Sequence, residues 1–150
     1  IPVNGKFTKR QLELYNATLR VFRSAVSLMK PGITINELHD QVCKLWETEH
    51  IRLGLFTAEE VKRQPEKEPL WFNYYMHGTS HFLGLDVHDA GTKDIQLEPG
   101  MVLTCEPGIY IAGEGIGIRL ENNILITENG NLDLMGDIPV EAEEIMDLMK

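Results

Sequence analysis

The chain has 150 residues, of which 43% are hydrophobic and 25% charged, proportions that fit a globular domain and exclude an intrinsically disordered one. Its formal net charge is −9 and its basic residues form no stripe, so we expect no nucleic-acid partner. No apolar run is long enough to span a bilayer, and the first residues lack signal-peptide features. Two cysteines far apart suit a reducing compartment. We therefore expect a single cytoplasmic domain over residues 1–150, with no membrane association.

Two amphipathic helices are predicted in the first third of the chain. Thr8 is followed three residues later by Gln11, and Thr34 by Glu37, which is the pattern of a capping box at a helix start. Residues at spacings of three and four form the buried face of the first helix: Leu12, Tyr15, Leu19, Phe22, Val26 and Met29. The corresponding face of the second helix is Leu38, Val42 and Leu45, with Trp46 beside it. We expect the first helix to end before Pro31-Gly32 and both helices to cover one face of a sheet.

Short β segments separated by glycine are predicted after Trp71. The first runs from Met101 to Glu106 and is stopped by Pro107-Gly108; the next are Ile109–Ala112 and Ile116 to about Thr127. Residues 52–70 predict one short helix within a loop. A last helix is predicted from Val140 to Met149, with Ile145 and Met149 facing inward. Residues 1–3 resemble the end of a strand followed by a turn at Asn4-Gly5, as in a fragment of a larger architecture.

Three of the five histidines lie within fifteen residues, at His77, His81 and His88. His77 and His81 are four residues apart, which is the spacing of two zinc ligands on a helix. Position 78 is a glycine and the residues that follow favour extended structure, so we reject a helical zinc site.

Two carboxylates at strand ends are the second group of candidates. Glu106 ends an apolar strand, where a carboxylate either reaches solvent or is paired or bound to a metal. Arg119 and Glu121 share a strand face. Either they form a surface ion pair, or Glu121 is a metal ligand and Arg119 orients its carboxylate. Asn122-Asn123 predicts a bulge or bend that re-aims Glu121. One imidazole and two carboxylates together suit Mn, Co, Zn or Fe(II).

Three segments, in this order, carry a family resemblance: HGTSHFLGLDVHD, LEPGMVLTCEPGIY and GIRLE. They resemble the pita-bread metallopeptidases, specifically the Xaa-Pro aminopeptidase (aminopeptidase P) and prolidase branch. The resemblance covers most of the chain and implies an α+β fold, the second half of a pita-bread (creatinase/aminopeptidase) catalytic domain. An antiparallel sheet would be covered by the two long helices and the C-terminal helix.

The resemblance also implies roles for individual residues. His81, Glu106 and Glu121 match metal ligands, with Glu121 bridging two ions and Glu106 also handling a proton. His77 and His88 match histidines that bind the substrate and stabilise the reacting carbonyl, and Arg119 matches an arginine behind the ligands. The implied reaction removes the residue before a proline in second position, with two divalent ions, commonly manganese, activating a water. Cys105 faces away from Glu106, so we expect a core residue and not a nucleophile.

One difference from the family pattern, and the two-halved architecture of the family domain, set further expectations. The family's two aspartate ligands precede the segment that matches residues 1–5, so we expect this chain alone to bind metal weakly and to be inactive. A prolidase acting on dipeptides and a non-catalytic protein-binding domain of the same fold remain alternatives. Because the family domain has two similar halves, a second copy of this chain is expected to pair with the first as a homo-oligomer.

Overall fold

The computed structural model describes residues 1–150. Three α-helices come first, five short strands follow, and a fourth α-helix comes last. The helices are α1, Lys9–Leu28; α2, Ile35–Arg52; α3, Ala58–Arg63; and α4, Ala142–Leu148. The strands are β1, Val102–Cys105; β2, Gly108–Ile111; β3, Ile116–Arg119; β4, Asn122–Thr127; and β5, Gly130–Asp133. None of the helices combines the length and the apolar character that crossing a bilayer requires. The α+β class predicted from the sequence is confirmed.

Both predicted helix starts are capping boxes. The Thr8 side chain accepts a hydrogen bond from the Gln11 backbone N–H, and the Gln11 side chain accepts one from the Thr8 backbone N–H. Thr34 and Glu37 make the same exchange at the start of α2. A third box starts α3, the short helix expected between residues 52 and 70. Each cap stabilises its helix by about 1 kcal/mol, because it satisfies backbone donors that have no partner within the helix.

Helix α1 is buried on more sides than its predicted stripe. Tyr15, Leu19, Phe22 and Met29 are buried as expected. Residues outside the stripe are also buried: Leu14, Val21 and Ala25. The reason is that α1 packs on α2 along one side and on the strands along another. In α2, Trp46 is fully buried while the predicted Leu45 is half-buried.

The single strand predicted from Ile116 to Thr127 is wrong, because it is divided into β3 and β4. Strand β4 lies between β1 and β5 in a three-stranded antiparallel sheet, whereas β2 and β3 form a separate antiparallel pair. The division falls opposite Pro107, which has no N–H to donate to a partner strand. Residues 106–107 separate β1 from β2, and residues 120–121 separate β3 from β4. At these two points the chain passes from one sheet to the other, and together they form a corner.

Three further predictions differ from the structure. Strand β5 was not predicted; it follows the two-residue turn 128–129 that closes on the Thr127–Gly130 pair. Ile145 is buried as expected, but Met149 caps the end of α4, where the helical spacing stops, and is 36% exposed. Residues 1–3 form no strand, although the turn after them is confirmed by the 3.0 Å hydrogen bond from the Gly5 N–H to the Pro2 carbonyl.

Candidate metal centre

The corner between the two sheets brings the two candidate carboxylates together. Glu106 directly follows β1 and Glu121 directly precedes β4, and the adjacent residues Cys105 and Asn122 are paired across the ladder. The two glutamates are therefore opposite one another at the end of that ladder. The Glu106 side chain is largely buried, with 13% of its surface exposed, and the Glu121 side chain is 34% exposed. The bend expected at Asn122-Asn123 lies just before them, at residues 120–121.

His81 reaches these carboxylates because its segment lies along β1. The Glu106 N–H donates to the Thr79 carbonyl at 2.8 Å, and the Thr104 N–H donates to the His81 carbonyl at 3.0 Å. Phe82 then forms a β-bridge with Leu103. The segment is extended and not helical, so the rejection of a helical zinc site is confirmed.

The three side chains have the geometry of a metal site. One ligand atom from each of His81, Glu106 and Glu121 lies within 4.8 Å of the others. His81 Nε2 is 3.5 Å from Glu106 Oε1. Two ligand atoms each about 2.1 Å from one ion are about 3 to 3.5 Å apart, so this pair fits a shared ion. His81 Nδ1–H donates to the Phe82 carbonyl at 2.8 Å, which leaves the Nε2 lone pair directed at the carboxylates.

The half-exposed Arg119 side chain lies beside both carboxylates. Its guanidinium lies 3.1 Å from Glu121 and 3.7 Å from Glu106, through two different nitrogens. Two adjacent carboxylates repel one another, and a cation shared between them offsets that repulsion. Arg119 therefore offsets part of the repulsion between Glu106 and Glu121.

The two other candidate histidines lie beside the ligands. His77 and His88 line one cleft of about 400 Å³ together with His81, Glu106 and Arg119. The His88 and His81 rings are 4.2 Å apart, centre to centre. Glu121 borders a neighbouring groove, which Arg119 also lines. The structure thus brings all six predicted site residues to one corner of the molecule, which is open on the cleft side.

Tyr110 is a site residue that the sequence reasoning missed. His77 Nδ1–H donates to the Gly78 carbonyl at 2.9 Å, so Nε2 is the acceptor for the Tyr110 hydroxyl at 2.9 Å. Burial raises the pKa of Tyr110, so the hydroxyl keeps the proton that it donates. Its ring needs the absence of side chains at Gly108 and Gly117: a Cβ there would lie 2.8 Å and 3.0 Å from ring or hydroxyl atoms. Tyr110 and Gly117 are directly paired across β2 and β3. This pairing of a tyrosine with a glycine is the signal by which the sequence could have pointed to Tyr110.

Cys105 is not part of the site. It is fully buried on the opposite side of β1 from Glu106, and burial raises the pKa of its thiol, so the thiol stays protonated. The expectation of a core residue is confirmed.

Proteins similar to this chain include Xaa-Pro aminopeptidases from bacteria and mammals. The Xaa-Pro aminopeptidase of Escherichia coli (strain K12) is 41% identical over 162 residues, which cover 99% of this chain and 36% of that protein. Xaa-Pro aminopeptidase 3 of Rattus norvegicus is 33% identical, over 96% of this chain and 30% of that protein. A solved structure of Zn-substituted E. coli aminopeptidase P in complex with product matches with a TM-score of 0.87 and 40% identity, over 99% of this chain and 36% of that one.

The chain therefore spans about a third of the length of the relatives that it matches. The structural match confirms the pita-bread fold, and the sequence matches confirm the resemblance to the Xaa-Pro aminopeptidase branch. Residues 1–128 match metallopeptidase family M24, and the chain belongs to that family.

Proposed function

We propose that this chain provides part of the active site of an Xaa-Pro aminopeptidase, which releases the N-terminal residue from peptides with proline in second position. The observation that carries the proposal is the meeting of His81, Glu106 and Glu121 within 4.8 Å. These three residues come from three separate segments, and Arg119 contacts both carboxylates. A surface acidic cluster would need neither the histidine with its fixed Nδ1–H nor the shared arginine.

The donor set supports a site for divalent ions. One imidazole nitrogen and two carboxylates suit Mn, Co, Zn or Fe(II), and we propose two manganese ions in the active enzyme. One solved relative is a Zn-substituted form of E. coli aminopeptidase P. Bound divalent ions supply the Lewis acidity that activates water and polarises a peptide carbonyl.

The protein groups have separate roles in this proposal. Glu106 lies inside the cleft and accepts a proton from the water, then delivers it to the leaving amine. Glu121 holds the ions in place from the opposite strand. His88, next to His81 and exposed to the cleft, hydrogen-bonds to the reacting carbonyl, and His77, held by Tyr110, orients the substrate.

The substitution Glu121→Gln tests the metal site in the full-length enzyme. The amide keeps the size of the side chain but loses the charge that holds the ions, so we expect bound metal to fall and the hydrolysis of an Xaa-Pro-Yaa peptide to drop below about 1% of wild type. Loss of a residue behind the ligands already costs about 10- to 100-fold, and loss of a ligand costs more. Glu106→Gln should lose most activity as well.

Glu128→Gln is the matched control, since Glu128 is exposed in the turn at the far end of β4. It should keep wild-type activity and metal content. Near-normal turnover with full metal occupancy in Glu121→Gln would refute the assignment. Cleavage of Xaa-Pro dipeptides in preference to longer peptides would instead identify a prolidase, and metal binding without hydrolysis a non-catalytic domain.

A further inference from the structure

A connected group of polar side chains lies behind the proposed metal site, with Thr79 at its centre. The Thr79 hydroxyl is 2.8 Å from the Tyr75 hydroxyl and 3.0 Å from His39 Nδ1. His39 Nε2 is in turn 3.5 Å from Cys43 Sγ. Thr79 and Tyr75 are fully buried, and His39 and Cys43 belong to α2. None of the four residues is a proposed metal ligand or substrate contact.

The group is uncharged, which explains how it is tolerated in the interior. Burial raises the pKa of Cys43 to about 12 and also raises the pKa of Tyr75, while burial lowers the pKa of His39. His39 is therefore neutral, with one ring nitrogen donating and the other accepting in its hydrogen bonds to Thr79 and Cys43. Buried polar groups that are all hydrogen-bonded fix one arrangement of the segments that carry them.

Thr79 connects this group to the proposed ligands by two routes. Its carbonyl accepts the Glu106 N–H at 2.8 Å, which sets the position of the Glu106 backbone. Two residues further along the same extended segment is His81, whose N–H donates to the Thr104 hydroxyl at 3.1 Å. The Thr79 side chain therefore fixes residues 79–81 to α2. This segment carries the proposed ligand His81 and hydrogen-bonds to the proposed ligand Glu106.

We propose that Thr79, together with His39 and Tyr75, is a positioning residue for the metal site. Its hydroxyl holds residues 79–81 in the position along β1 at which His81 and Glu106 can bind the same ion. The proposal rests on the metal site proposed above and adds to it a device that ties that site to α2. A valine at position 79 has the same shape and no hydroxyl, so it removes the connection without removing bulk.

The test compares Thr79→Val, Thr79→Ser and Thr18→Val in the full-length protein. Thr18 is the matched control, because it is a fully buried threonine whose hydroxyl bonds to the Leu14 carbonyl within α1, away from the site. The measurements are the affinity for Mn²⁺ by calorimetry, the visible absorption of the Co²⁺-loaded protein, and the thermal stability of the metal-free protein.

We expect Thr79→Val to weaken Mn²⁺ binding about 10- to 100-fold, as for other residues that orient ligands, and to change the Co²⁺ spectrum. Thr79→Ser should restore both, and Thr18→Val should lower stability with neither effect. If Thr79→Val does not fold, His39→Phe removes the hydrogen-bond partner of Thr79 at the half-buried end of the group and should weaken binding severalfold. Mn²⁺ affinity within twofold of wild type in every folded variant at positions 39 and 79 would overturn the positioning role. A wild-type protein that binds no divalent ion would instead overturn the proposed function together with it.

Discussion

Among individual residues, His50 is one whose burial makes the stability of the fold depend on pH. Its ring is fully buried, stacks on Trp46 at 5.2 Å, and meets Phe56 and Tyr74 edge-on. Neither ring nitrogen has a hydrogen-bond partner within the chain. Burial lowers the pKa of His50 to about 4, from an ordinary value near 6.5. The folded protein therefore holds this histidine neutral under conditions in which the unfolded chain protonates it.

The direction of the resulting pH dependence follows from proton binding. Between pH 6.5 and 4 the unfolded state binds the extra proton, so stability is fully present above about pH 6.5 and falls as the pH approaches 4. We expect His50→Phe, which fits the aromatic cluster and cannot protonate, to remove this dependence. Urea unfolding at pH 7.5 and 5 should show wild type losing about 2 kcal/mol more than the variant. Equal losses in both proteins would show that His50 titrates normally in the fold.

Among the elements, the C-terminal end of α1 is hydrogen-bonded to β5 by one side chain, that of Asn131. The Asn131 amide donates to the carbonyls of Val26 and Met29, both at 2.7 Å. The Val26 carbonyl lies in the last turn of α1 and also accepts the Met29 N–H, while the Met29 carbonyl lies in the cap, beyond the carbonyls that are bonded within the helix. Asn131 is the second residue of β5, just after the β4–β5 turn. Its side chain therefore hydrogen-bonds to the carbonyls at the end of α1 and also sets the position of that end over the sheet.

Asn131→Asp should destabilise the fold by about 2 kcal/mol. The change keeps the shape, removes two donors and places a negative charge at the negative end of a helix dipole. Chemical denaturation at pH 7 measures the effect. Asn129→Asp adds the same charge to an exposed position in the neighbouring turn and should change stability by less than about 0.5 kcal/mol. Similar values for the two variants would mean that the Asn131 hydrogen bonds contribute nothing.

At the scale of the whole molecule, β3 pairs with β2 on one side only and borders an apolar groove of about 580 Å³. The groove is lined in part by Ile116, Ile118 and Leu120, all half-exposed. A free strand edge beside apolar surface favours pairing with another chain. The homo-oligomer expected from the sequence stays a prediction, and we expect this edge to be its interface.

Light scattering of the 150-residue chain at micromolar concentration should detect a dimer. Because the net charge is −9, added salt should strengthen the association by screening repulsion between copies. Ile118→Lys places a charge on the edge and should yield a monomer. A monodisperse monomer for the unmodified chain at both low and high salt would rule the dimer out.

Metal binding by residues 1–150 alone should be weak. The chain brings one cluster of three ligand groups together, and three ligands do not fix a two-metal geometry. Calorimetric titration with Mn²⁺ is expected to give one weak event and no peptidase activity. Tight binding of two ions per chain would show that these residues suffice for the complete site.

The sequence by itself determined the features that depend on neighbours within a few residues. The three capping boxes formed where Thr8, Thr34 and Thr57 precede a glutamine or glutamate by three positions, because both partners lie in one helical turn. The six site residues were identified from three short segments, and the structure brings them together; their roles stay a prediction.

The tertiary structure alone decided how distant segments meet. The division of the last long strand depends on Pro107 lying opposite residues 120–121, and no pattern within that strand contains this information. Tyr110 contacts His77 across 33 positions, and His39 contacts Thr79 across 40. Hydrogen bonds of this kind depend on strand register and on which side chains lose water, and both are fixed only when the helices pack on the sheet.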